Sequence, residues 1–168
     1  MRPSLRWRRE RPDLEVRPGE QVLAWATDAS GEVVGGTRDA LYLTAADGAR
    51  IPWEDVEAAD WDLETSSLTV REVGSWGLTR PEHQITIAEP GRLLELVRER
   101  VTASIVLQRH VAVVGLRGVR VIARRAPHGR DEISWFFEYD EGIDPGDPSV
   151  QASAEAALAT ARSEVEPG

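Results

Sequence analysis

Between residues 21 and 88 the apolar positions recur every second residue, in short runs separated by turn-forming residues, which is the period of strands with one buried face. The runs fall at residues 21–27, 32–37, 40–44, 50–53, 57–62, 68–73 and 83–88, with turn signals at residues 28–31, at Arg38-Asp39 and at Asp47-Gly48. In the first run Leu23 and Trp25 alternate against Val22, Ala24 and Ala26. Gly35-Gly36 in the second predicts a bulge or a close backbone approach. Pro52 lacks an N–H and places the fourth run at an edge or bulge. After Glu89-Pro90-Gly91 the period lengthens to about 3.6 residues. Leu93, Leu94, Val97 and Val101 form one stripe, with Arg92, Glu95, Arg98 and Glu99 opposite, predicting an amphipathic helix that lids the sheet. Period two resumes at residues 104–114, 119–125 and 133–139, the last placing Ile133, Trp135, Phe137 and Tyr139 on one face. Asp147 as N-cap and Pro148 at the first helical position then open a helix over residues 148–165, striped by Val150, Ala154, Leu158 and Ala161.

The stretch around Trp53 and Trp61 predicts the core, because burying one such ring removes about 150 to 250 Å² from water. The order of elements predicts an α+β chain in three parts. Residues 1–16 form an Arg-rich N-terminal arm, and residues 17–104 a seven-stranded barrel or split barrel capped by a helix. Residues 105–168 form a three-stranded β-meander plus a C-terminal helix packed on it.

Three runs carry a resemblance: Gly19-Glu20-Gln21-Val22-Leu23-Ala24-Trp25, then Gly36-Thr37-Arg38-Asp39-Ala40-Leu41-Tyr42-Leu43, then Arg50-Ile51-Pro52-Trp53-Glu54-Asp55-Val56. Over residues 17–104 the chain resembles bacterial PH-like (pleckstrin-homology and GRAM-like) domains, and as a whole it is similar to small proteins of GC-rich Gram-positive bacteria. The resemblance implies a binding scaffold, usually non-catalytic, and the expectation is an adaptor module that contacts a protein or peptide through an exposed sheet edge or an Arg strip. It does not extend to phosphoinositide binding. Members that hold lipid phosphates carry several Lys or Arg on the first two strands and their loop, whereas residues 18–37 contain no basic residue and place Asp28 and Glu32 at that loop.

Length and composition narrow the classes. A chain of 168 residues buries roughly 70% of its unfolded surface and needs no metal or disulfide to fold. It has no cysteine, which removes thiolate ligands and thiol nucleophiles. No apolar run approaches the roughly 18 residues a spanning helix needs, and the N-terminus lacks a secretory apolar core, so a cytoplasmic protein is expected. The net charge of −9 is uneven: residues 1–17 carry six Arg against three acids, residues 109–130 carry six Arg and no acid, and residues 138–168 carry eight acids against Arg162 alone. An acidic whole disfavours bulk nucleic-acid binding, and the basic strip lacks the interleaved aromatics that stack bases.

Candidate chemistry is sparse. His83, His110 and His128 match no metal-ligand spacing, and no phosphate-binding or nucleophile-elbow motif occurs, so no catalytic residue, metal or cofactor is expected. Glu54, Asp55, Glu57, Asp60 and Asp62 beside Trp53 and Trp61 read as a solvated acidic rim, with a glycosidase-like carboxylate pair as the sharper alternative. The strip Arg117, Arg120, Arg124 and Arg125, flanked by Arg109 and Arg130, is either a docking face for an acidic partner or an internal complement to the acidic C-terminal helix. Arg6, Trp7, Arg8 and Arg9 offer an interfacial arm for a membrane surface. A pocket between barrel and C-terminal lobe would instead suit a small ligand or an enzyme.

Overall fold

A computed structural model describes residues 12–45, 48–73, 80–127 and 132–166. The chain is α+β, with three antiparallel sheets and two helices among those residues. The first sheet holds β1 (Ala24–Thr27), β2 (Val33–Gly36), β3 (Ala40–Leu43) and β4 (Ala49–Pro52), in sequential order. A single 3₁₀ turn, Trp53–Asp55, leads to the second sheet: β5 (Val56–Asp62), β6 (Ser67–Glu72) and β7 (Glu82–Thr86). Helix α1 (Leu93–Ala103) follows. The third sheet is built from β8 (Ile105–Val114), β9 (Arg117–Arg124) and β10 (Ser134–Tyr139), with β9 central, and α2 (Pro148–Val165) ends the described chain.

The seven early strands divide four and three, and both sheets are open, so a closed seven-stranded barrel is not what the described residues form. One main-chain bond, Ala29 N–H to the Thr86 carbonyl at 2.9 Å, links the β1–β2 turn to the end of β7. Between the sheets lies a core of Val34, Leu41, Leu43, Ile51, Trp53, Val56, Leu68, Val70 and Ile87, closed by Leu93, Leu96 and Val97 of α1. Trp53 is fully buried and its indole N–H donates to the Thr37 carbonyl at 2.9 Å, so its one polar group is satisfied. Gly36 makes this packing possible: a Cβ there would come within 2.6 Å of Leu96 Cδ2 and 3.2 Å of Trp53 Cζ2. The Gly-Gly pair thus marks close approach, and β2 pairs with its neighbours without a bulge.

The helix stripe is rotated from the expected one. Leu96 is buried beside Leu93 and Val97, whereas Leu94 and Val101 are only partly buried against the core. In β1 the small residue Ala26 faces inward, whereas Trp25 and, just before the strand, Leu23 point outward, 38% and 48% exposed.

The third sheet and α2 enclose a second, smaller core of Val121, Ala157 and Ala161, flanked by Leu107, Val111, Trp135, Phe137 and Leu158. Asp147 caps α2, its Oδ1 accepting the Ser149 N–H at 2.8 Å, and Pro148 occupies the first turn as expected.

Candidate protein-binding surfaces

Strand β9 alternates Val119, Val121 and Ala123 toward α2 with Arg120, Ile122 and Arg124 on its other face, yet the arginines do not form one open strip. Arg124 is buried, 2% exposed, which removes it from any docking face. Its Nη2 donates to the Glu57 carbonyl at 2.9 Å and its Nη1 to Ser104 Oγ at 3.2 Å. The β5–β6 pairing shifts register between Val56 and Ala58, and Glu57 sits at this irregularity, where its carbonyl takes the guanidinium. Burial lowers the Arg124 pKa, and the negative charges of Glu57 and Glu138 offset part of that shift. Arg120 pairs across the sheet with Glu138 at 3.6 Å, and Arg109 with Glu164 of α2 at 2.8 Å, so part of the strip complements acids of its own lobe. Arg117 and Arg125 are exposed but stand just at and past opposite ends of β9, separated by roughly 23 Å of strand. Arg130 and the arm residues Arg6, Trp7, Arg8 and Arg9 lie outside the described residues, as does His128.

The acidic rim is distributed among local partners. Asp60 pairs with Arg71 at 3.3 Å, Glu57 pairs with Arg80, and Asp62 Oδ1 accepts the N–H groups of Glu64 and Thr65 in the β5–β6 turn. None of these carboxylates lines the cavity bounded by Leu14, Tyr42 and Thr44. His83 contacts Glu72 at 2.8 Å, and His110 lies 2.7 Å from Asp140, whose Oδ2 also accepts the Gly118 N–H at 2.7 Å. Among the described residues no group of three or more His, Cys, Asp or Glu could hold a metal ion.

The first surface is the edge of β8 that pairs with no other described strand. The strand is ten residues long, half of them β-branched, and among the described residues it pairs only with β9. Where it turns into β9, Val114 is 65% exposed and Leu116 92%. An edge with unpaired main-chain groups and an apolar tip is a template for another strand. The Arg109 side chain covers part of it, donating to the Gln108 carbonyl at 3.0 Å.

A second surface was not legible as such in the sequence. Strand registers align Trp25, Gly35, Tyr42 and Arg50 in one row on the outer face of the first sheet. Residues 12–20 cross this row. Leu14 fills the gap over Gly35, where a Cβ would meet Leu14 Cδ2 at 2.6 Å. Glu20 anchors the other end: its Oε1 accepts from Thr37 Oγ1 at 2.6 Å, and its Oε2 from the Tyr42 hydroxyl at 2.7 Å and Arg50 Nε at 3.1 Å. Thr37 suits this role because its oxygen also accepts the Asp39 and Ala40 N–H groups, which directs its proton to Glu20. Burial of Glu20 opposes ionisation, but the three hydrogen bonds and the Arg50 charge outweigh it and hold the carboxyl below its ordinary range. Beside this strap lies a cavity of about 400 Å³, lined by Asp13, Leu14, Glu15, Tyr42, Leu43, Thr44 and Gly48.

No protein-family model, curated protein or solved structure matches the chain.

Proposed function

We propose that the chain is a non-enzymatic binding or adaptor module, built on a PH-like scaffold, that engages a protein partner through the β8 edge and its hairpin tip. The scaffold reading is supported by the order of four strands, three strands and a helix that closes the core between them, the order that the sequence resemblance implies. The observation that carries the binding reading is the ten-residue edge of β8, which no other described strand pairs with, and the exposed Val114 and Leu116 at its hairpin tip. A partner segment adding as a fourth strand would satisfy the free main-chain groups, and Val114 and Leu116 would supply apolar contact. The Arg strip contributes at most Arg117 and Arg125 to such a face, since Arg124 is buried and Arg109 and Arg120 already face acids.

The enzyme or small-ligand alternative would need a pocket between the first two sheets and residues 105–168, and the cavity beside the strap is not that pocket, since its lining comes from residues 13–48. Among the described residues no helix is long and apolar enough to cross a membrane, and a cytoplasmic location is our reading.

Affinity co-purification from the source cells, comparing the native chain with Val114→Asp/Leu116→Asp and with Arg117→Glu, tests the assignment. A stoichiometric partner retained by the native chain and lost from the double variant is the expected result. Equal retention by both, or no partner at low and moderate salt, overturns the edge as the binding surface.

A further inference from the structure

We infer that the outer face of the first sheet is a peptide-binding seat, occupied by residues 12–20 as a resident pseudo-ligand. Its true occupant is an extended segment of another protein, presenting a bulky apolar side chain and, about six residues later, a carboxylate. This inference is independent of the β8 edge.

Three observations carry it. The strap is held by few bonds. Its own main-chain hydrogen bonds, Leu14 N–H to the Pro12 carbonyl at 2.9 Å and Glu20 N–H to the Arg17 carbonyl at 3.0 Å, are internal. Its described hydrogen bonds to the sheet are those of the Glu20 carboxylate and one from the Arg17 N–H to the Tyr42 hydroxyl at 3.1 Å. The strap adds no strand to the sheet among the described residues, and its bonds to it end on the side chains of Thr37, Tyr42 and Arg50. Among the described residues the seat also leaves about 400 Å³ unfilled beside Leu14, bounded by Tyr42, Leu43, Thr44 and Gly48 and by the strap's own Asp13 and Glu15. A longer apolar or aromatic side chain would fill space that leucine leaves empty. Finally, apolar surface continues beyond the strap: Trp25 borders the Gly35 slot, its Cβ 3.6 Å from where a Gly35 Cβ would lie, and both Trp25 and Leu23 are more than one-third exposed.

The chemistry of the occupant follows from the seat. Gly35 between Trp25 and Tyr42 leaves an aromatic-walled slot with a backbone floor, shaped for one apolar side chain. Thr37, Tyr42 and Arg50 converge three donors on the two oxygens of Glu20, an arrangement that favours a carboxylate over a neutral acceptor and disfavours a cation.

The probe is a fluorescein-labelled peptide of residues 12–22, titrated into the full chain and into full-chain Glu20→Ala, whose resident strap has lost its carboxylate anchor. A tethered strap competes at an effective concentration of about 1 mM, so the peptide should bind the Glu20→Ala chain at least about tenfold more tightly than the native chain. A peptide with Leu14→Phe should bind more tightly still. Adding Gly35→Leu or Arg50→Ala to the Glu20→Ala chain should weaken binding at least tenfold. Equal binding to the native and Glu20→Ala chains, or indifference to Gly35→Leu, overturns the seat. Light scattering of the Glu20→Ala chain distinguishes the source of the occupant: a concentration-dependent dimer that the peptide does not dissociate would show strap exchange between two copies and overturn the foreign partner. Should Glu20→Ala fail to fold, the Trp25 indole resonance of the native chain is followed instead. A saturable shift with the native peptide, absent with one carrying Ala at both anchors, supports the seat; no shift with either overturns it.

Discussion

At the scale of single residues, two charged groups carry unusual duties. Arg124 is buried, and its hydrogen bonds go to a carbonyl and a hydroxyl rather than to a carboxylate. Deleting the side chain leaves the Glu57 carbonyl and Ser104 hydroxyl short of a donor and opens a cavity, so Arg124→Ala should cost about 2 to 4 kcal/mol in urea unfolding. Arg124→Met, which fills the space without a charge to desolvate, should cost less. Alternation along β9 separated Arg120 and Arg124 from the valines, but it could not show that a β5 carbonyl 67 positions earlier would cover one of them. Glu20 contributes in the opposite electrostatic sense. Its folded-state pKa lies below the 4.5 of a free glutamate side chain, so its contribution is fully present above about pH 4.5 and is lost as pH falls through the folded pKa. The stability difference between the native chain and Glu20→Gln should therefore be flat above that pH and shrink on acidification, a trend readable from unfolding curves at stepped pH. From local sequence Glu20 reads only as a turn residue, because its partners Thr37, Tyr42 and Arg50 lie 17, 22 and 30 positions away.

At the scale of elements, the strands and both helices were legible because burial imposes the two-residue and 3.6-residue periods directly. What periodicity left open was rotation. Leu93, Leu94 and Val97 make as regular a stripe on α1 as Leu93, Leu96 and Val97, and only the position of Trp53 and Gly36 selects Leu96. Gly36→Ala should accordingly destabilise by about 1 to 3 kcal/mol, because the added methyl overpacks a filled site. Leu96→Ala in the same chain should recover part of that loss, giving a favourable coupling in a double-mutant cycle. Division of the strands into two open sheets was equally invisible, since hydrophobic alternation reads the same whether a sheet closes or stops.

At the scale of the whole molecule, two hydrophobic clusters share a short seam in which Arg124 joins the β5 irregularity to Ser104 at the end of α1. With the seam intact, calorimetry should show one unfolding transition. In Arg124→Ala the smaller cluster, built largely from valine, alanine and a few aromatics, should melt first as a separate event.

The paired glycines of β2 have a last consequence. Gly35 offers no side chain to the outer face and Gly36 none to the inner one, so Leu14 on one side and Leu96 with Trp53 on the other rest against the same short piece of main chain. The sheet there is a membrane one peptide unit thick. Whatever presses on it from outside is felt by the helix inside without any side chain to relay the push, and amide exchange along α1 should register the arrival or departure of a residue at Leu14's place.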